Sequence, residues 1–409
     1  MTITRRGAIA AGAGTLAGLP FARAHAQGAN TIKLGVLNDQ SGTYRDLSGP
    51  GSTICVRQAI SELGALGFNV EVVQADHQNR PDVGSTIART WFDRDGVDAI
   101  LDVPTSSVAL AVSGIAREKN KVFLNSGAAA SDLTGAQCSP NTIHWTYDTW
   151  MLAKGTGGAM VRAGGDSWFF ITADYAFGHA LERDTGNFVR QAGGRVLGQV
   201  RTPFPGTTDF SSYLVQAQAS RAEVIGLANA GADTINSIKQ AAEFGITRRG
   251  VKLAGLLVFI TDVHSLGLPT AQGLVLTETF YWNLNDRTRA LTQRVRGNMP
   301  GNQPPTMVQA GCYSAALHYL KTVKEMGATA AKADGAATIA RMKAMPADDD
   351  AFGAGSIRPD GRKIHPAYLF EVKTPAESSA PWDYYKLLQT VPADEAFRPL
   401  ADGGCTLPR

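Results

Sequence analysis

Three short segments place polar and small residues where an apolar run gives way to an amphipathic one. They are Asp39-Gln40-Ser41-Gly42-Thr43-Tyr44-Arg45-Asp46, Thr105-Ser106-Ser107, and Ser126-Gly127-Ala128-Ala129-Ala130-Ser131. A serine at a helix start presents a hydroxyl beside first-turn N–H groups that lack intrahelical partners and carry the positive end of the helix dipole. Small residues at 127–130 let a ligand approach the backbone closely. Ser41, Ser106, Ser107, Gly127, Ala128 and Ala129 are therefore candidate contacts for a carboxylate held without lysine or arginine. Plain helix capping by Ser106 or Ser107 produces the same pattern.

Other chemistries leave no trace. The chain has no G-x-G-x-x-G after a strand, no G-x-x-x-x-G-K-[ST], no H-E-x-x-H and no C-x-x-C. A G-x-S-x-G elbow for a nucleophilic serine is also missing. His77, His144, His179, His264 and His318 are scattered, which is the pattern of core and surface histidines. No catalytic residue, cofactor or metal site is expected.

The elements that must position these segments follow an α/β order. Thr31–Leu37, Val70–Val73, Asp98–Val103 and Lys121–Asn125 read as strands; Ser52–Leu66, Pro81–Asp93 and Ser107–Lys119 read as helices between them. After Trp150 the pattern is written again. Strands at 167–171, 195–202, 223–228 and 253–257 alternate with helices at 179–192, 211–219 and 234–244. A further strand is expected at 273–281, helices at 307–326 and 336–345, and a strand pair at 367–372 and 382–387. Such alternation predicts βαβ units, parallel sheets and helices on both faces.

Thr4-Arg5-Arg6, the small apolar stretch Ala8 to Leu19 and Ala24-His25-Ala26 read as a twin-arginine-type export signal over residues 1–26. The apolar run is too short and too rich in Gly and Ala to span a membrane. Arg5, Arg6 and Arg23 account for the whole excess of 39 basic over 36 acidic residues. The mature chain is then neutral, which argues against nucleic acid and against a polybasic membrane patch. A soluble periplasmic protein is expected.

Strand 32–37, the Asp-x-Ser-Gly loop at 39–42, Ser106-Ser107, Asn125-Ser126-Gly127-Ala128 with Leu133-Thr134, Asp174-Tyr175-Ala176-Phe177-Gly178 and Asn229-Ala230-Gly231-Ala232-Asp233 occur in an order that resembles the leucine/isoleucine/valine-type periplasmic binding proteins. These are ligand-capture subunits of ABC importers. The resemblance covers essentially the whole mature chain and rests on the order of the motifs. It implies a type I fold: two doubly wound parallel-sheet lobes joined by three hinge crossovers, closing on a ligand. The lobes are expected at 27–148 with 283–362, and at 149–282 with 363–409. By the same resemblance Ser106 or Ser107 and the backbone of Gly127 and Ala129 take the carboxylate, while Tyr175 or Phe177 covers the ligand from the opposite lobe.

One departure is informative. Amino-acid binders of this type pair the ligand's ammonium with an acidic residue just after a second-lobe strand, where this chain reads Leu256-Leu257-Val258-Phe259-Ile260-Thr261-Asp262. An unpaired buried ammonium is costly, which weakens the case for an α-amino acid, although Asp262 lies close by. Tyr44, Trp145, Tyr147, Tyr175, Phe177, Phe259, Tyr281 and Trp282 fall in loop or crossover regions, where flat rings could stack on a planar ligand or pack the hinge. Tyr281-Trp282-Asn283-Leu284-Asn285 resembles the subgroup that binds aromatic carboxylates. Neighbours on a strand face opposite ways, so at most one of Tyr281 and Trp282 should face the cleft. Tyr44, Tyr147, Tyr175, Phe177, Asn229, Asp262 and Tyr281 complete the candidate ligand contacts.

The expected partners are a small carboxylate and a membrane permease, with the protein a monomer. A branched-chain amino-acid binder and a ligand sensor for a membrane receptor are the alternatives. Cys55 and Cys312 lie in expected helices and read as buried thiols. Cys138 follows a turn and Cys405 lies in the tail; of the pairings open to Cys138, a bond to Cys405 is favoured.

Overall fold

A computed structural model describes residues 30–407; the export signal expected at 1–26 lies outside them. The first lobe is built on β1 (Thr31–Asn38), α1 (Gly49–Glu62), β2 (Asn69–Asp76), α2 (Pro81–Asp93), β3 (Ala99–Asp102), α3 (Ser106–Glu118), β4 (Val122–Asn125) and β5 (Thr142–His144). All its strands run parallel in the order β2-β1-β3-β4-β5. Strands β3 and β4 are buried at every position, because helices cover both faces. That is why they read as unbroken apolar runs instead of alternating ones.

The second lobe repeats the plan with β6 (Ser167–Ala173), α4 (Ala176–Gln191), β7 (Arg195–Thr202), α5 (Ser211–Ala219), β8 (Val224–Ala228), α6 (Ala232–Glu243), β9 (Lys252–Gly255) and α7 (Ile260–Leu266). Its parallel sheet has the order β7-β6-β8-β9. The two parallel lobes are those of a type I periplasmic binding protein fold. Among the described residues no helix is long and apolar enough to cross a membrane.

The chain then contributes β10 (Val275–Glu278), α8 (Met307–Met326), β11 (Ala347–Asp349), β12 (Gly353–Ile357), β13 (Lys363–Ile364), β14 (Ala367–Val372) and β15 (Tyr385–Val391). Antiparallel β10-β14-β15 shares its core with the second lobe. The small sheet β11-β12-β13 was not expected from the sequence: β11 and β13 have only three and two residues, and β12 reads Gly-Ala-Gly-Ser-Ile, so no period-2 apolar pattern marks them. Trp382–Tyr384, expected to begin a strand, is a turn in which Trp382 takes φ +73°.

Helix α8 packs along α1 and ties the first lobe together. Its cap residue Thr306 donates to the Leu47 carbonyl at 2.6 Å, and Gln309 Nε2 donates to the Ser48 carbonyl at 2.9 Å. The tail beyond β15 returns to the first lobe. Cys138 and Cys405 form a disulfide, and Arg398 donates to the Ser131 carbonyl at 2.9 Å. Cys55 and Cys312 are buried free thiols.

Candidate functional site

The carboxyl ends of both parallel sheets face each other, which is where open α/β sheets gather ligand loops. Between them lies a small cavity, nearly filled by its own side chains. The first lobe lines it with Tyr44, Leu47, Pro104, Gly127, Ala129 and Tyr147, and the second with Tyr175, Phe177, Ala230, Leu257 and Phe259. No charged side chain is in the wall. One apolar cluster runs continuously from Val36 through Tyr44 and Tyr147 to Phe177 and Phe259, so the lobes are closed on each other.

Each wall residue is held by a local device. Asp39 Oδ1 accepts from Gly42 N at 2.6 Å, and its Oδ2 accepts from Tyr44 N at 2.8 Å and Asn79 Nδ2 at 2.6 Å. Asn79 Oδ1 in turn accepts from the Thr105 hydroxyl, so the ends of β1, β2 and β3 are laced together. Pro104 follows two residues in the left-handed region, Asp102 at φ +78° and Val103 at φ +57°. A β-branched residue there is strained by about 1–3 kcal/mol. The Asp102 carboxylate holds the bend by accepting from Asn38 Nδ2 at 2.9 Å and Ser48 Oγ at 2.7 Å. Burial pushes its pKa up to about 6. Gly127 cannot carry a side chain: a Cβ would lie 2.6 Å from Asp102 Oδ1 and 2.7 Å from Pro104 Cα.

The aromatic part of the wall keeps its protons. Burial raises the pKa of Tyr44, Tyr147 and Tyr175 well above that of a free phenol. Tyr147 donates to the Gly127 carbonyl at 2.5 Å and meets Phe259 edge-on with centroids 6.0 Å apart. The Tyr44 and Tyr175 hydroxyls hydrogen-bond across the cleft. One proton serves that bond, so the pair retains a second O–H donor.

Six of the sequence candidates therefore line the cavity: Tyr44, Gly127, Ala129, Tyr147, Tyr175 and Phe177. The others lie elsewhere, each for a physical reason. Ser41 is exposed and donates to Asp76 at 2.7 Å. Ser106 is wholly buried behind the wall, its Oγ accepting from Ala129 N at 3.3 Å and Ala130 N at 3.2 Å. Those amides thus serve Ser106, while Gly127 N donates to the Asp102 carbonyl and Ala128 N to Asn125 Oδ1. Ser107 is part-exposed and outside the wall. Asn229 is occupied inside its own lobe by Thr234 and Ser237.

Asp262 turns back onto α7, accepting from Phe259 N at 2.9 Å, and burial raises its pKa to about 7. Tyr281 packs in the second-lobe core against Phe370 and Tyr385, and Trp282 donates to the Trp382 carbonyl at 2.7 Å. Strand alternation allows at most one of this pair to face the cleft; β10 ends at Glu278, and neither Tyr281, a candidate ligand contact, nor Trp282 is in the cavity wall. Trp145 is likewise core, donating to Ser314 Oγ at 2.7 Å.

Sequence reasoning missed Leu47, Pro104 and Ala230 as wall residues. It flagged the apolar run that supplies Leu257 and Phe259 without assigning a wall role to Leu257. It also missed Arg362, wholly buried, whose Nη1 donates to the Tyr147 carbonyl at 3.2 Å and whose guanidinium lies 4.2 Å from the Phe397 ring centre. Among the described residues no group of three or more His, Cys, Asp or Glu could hold a metal ion.

Residues 31–379 match the family described as periplasmic binding protein. The chain belongs to that family. The structure of a periplasmic binding protein from Burkholderia mallei is 47% identical with a TM-score of 0.88, covering 93% of this chain and 99% of that one. A branched-chain amino acid ABC transporter periplasmic ligand-binding protein from Burkholderia xenovorans is 40% identical with a TM-score of 0.79, covering 92% and 99%. A solute-binding protein of an ABC transporter from R. palustris, in complex with benzoate, shares the fold at 22% identity and TM-score 0.79, covering 92% and 100%. Among curated relatives, a Leu/Ile/Val-binding protein homolog from Brucella abortus is 25% identical over 219 residues, 49% of this chain and 52% of its own. This periplasmic binding protein thus spans about half the length of the curated relatives it matches.

Proposed function

We propose that the protein is the extracytoplasmic solute-binding subunit of an ABC importer, and that it captures a small aromatic carboxylate between its lobes for delivery to a membrane permease. The observation that carries this reading is the wall itself: tyrosine and phenylalanine rings from both lobes, neutral hydroxyls, and no acidic side chain among the lining residues. Aromatic rings and small apolar side chains make up most of the lining, a surface that suits the face of a flat ring once the lobes part to admit it. The ring would lie among Tyr44, Tyr147, Tyr175, Phe177 and Phe259. Its carboxylate would take the spare proton of the Tyr44–Tyr175 pair and the positive end of α3, whose cap residue Thr105 makes no side-chain bond to the first turn. Ser106, accepting two amides, keeps its own proton to donate from behind Gly127 and Ala129.

Function is then capture and release without bond chemistry, by one chain in the periplasm. Tighter binding to the closed form drives the closure. The solved R. palustris relative in complex with benzoate has the same fold. The second reading is a branched-chain amino-acid binder, favoured by the description of the B. xenovorans relative; it would need a partner for the ligand's ammonium. A sensor that presents the closed form to a membrane receptor would use the same cavity. Calorimetric titration of the purified protein with benzoate, 4-hydroxybenzoate and leucine decides between the ligand classes. Binding of a benzoate with no heat from leucine is expected; binding of leucine alone would overturn the aromatic reading.

A further inference from the structure

Phe204, on the loop after β7, is outside the cavity wall yet is built into the seam between the lobes. Its ring stacks on Tyr175 of its own lobe at 4.1 Å between centroids and 14° between planes. It also stacks on Tyr44 of the opposite lobe at 5.3 Å and 30°. Tyr44 and Tyr175 are the wall residues whose hydroxyls meet across the cleft. Beside this cluster Ala232 N donates to the Thr43 carbonyl at 3.2 Å, a backbone bond between lobes. Gly231 makes that approach possible: it takes φ +58°, and a Cβ there would stand 2.4 Å from the Thr43 oxygen and 3.0 Å from the Tyr44 ring.

We propose that Phe204 is a closure latch, a positioning residue that clasps Tyr44 when the lobes shut and thereby sets how long a ligand stays bound. The inference rests on the reading that the Tyr44–Phe259 cavity is the ligand site. Opening must part the Phe204–Tyr44 stack and the Ala232–Thr43 bond together. Entry into the open form needs neither, so the latch acts on dissociation. Aromatic stacking of this kind is worth about two- to tenfold in an equilibrium constant, and such differences appear mostly in the off-rate.

The test is stopped-flow fluorescence with benzoate on the full chain. Phe204→Ala should raise koff by about two- to tenfold with kon changed by less than about twofold, and Phe204→Tyr should stay near wild type. An unchanged koff, or a loss confined to kon, would overturn the latch. A second measurement needs no ligand: Thr43→Cys with Ala232→Cys should crosslink under mild oxidation several-fold more slowly when Phe204→Ala is added. Equal crosslinking rates would overturn the latch even if benzoate binds. If the wild type ignores benzoate while the crosslinking rates differ, the ligand assignment fails and the latch stands.

Discussion

Tyr147, on the crossover between the lobes, donates its phenolic proton to the Gly127 carbonyl at 2.5 Å. The bond ties the crossover to the loop after β4, which carries Gly127 and Ala129 of the cavity wall. Removing the hydroxyl leaves a buried carbonyl without its donor. Tyr147→Phe should weaken binding of a benzoate-type acid by about three- to tenfold, measured by calorimetry, with thermal stability lowered slightly.

Leu257 is buried in the second-lobe wall where amino-acid binders of this type are expected to carry an acid. Leu257→Glu would put a carboxylate with no cation to pair it into the wall that packs against the ring of the proposed anion. Affinity for the aromatic acid should fall by about a hundredfold or more. If the variant binds as well as wild type, the acid does not pack against this wall.

Asp102, Asp233 and Asp262 are buried, and desolvation raises their pKa to about 6, 7 and 7. An acid whose pKa is higher in the folded state than in the unfolded chain holds its proton longer when folded, so stability falls as pH rises between the two values. The window here opens near the ordinary aspartate pKa and closes near pH 7. Chemical denaturation should therefore show declining stability across it. Asp262→Asn retains an acceptor for Phe259 N, so it should match wild type near pH 4 and exceed it at pH 8 by about 1–4 kcal/mol. A variant that is less stable than wild type at pH 8 would contradict this.

Cys138 and Cys405 close a loop with 267 residues of separation and hold the tail on the first lobe. Cys405→Ser should lower stability by about 2–5 kcal/mol in urea unfolding. Ligand affinity should change little, because neither sulfur lies in the cavity wall.

The alternation of strands and helices, its repetition after Trp150 and the α/β class were all legible in the chain, because hydrophobic periodicity is a local property. The loops that build the cavity were legible too, since ligand loops follow parallel strands; Tyr44, Gly127, Ala129, Tyr147, Tyr175 and Phe177 all came from such places. Short strands such as β11 and β13 were not, because two or three residues carry no period. Only the tertiary structure decided which polar groups look inward. Ser106, Asn229 and Asp262 have the right chemistry and the right neighbourhood, but each finds a hydrogen-bond partner inside its own lobe. Tyr281 is carried into a core by residues about 90 to 100 positions away. Satisfaction of a buried polar group is a property of three-dimensional neighbours, and linear spacing does not encode it.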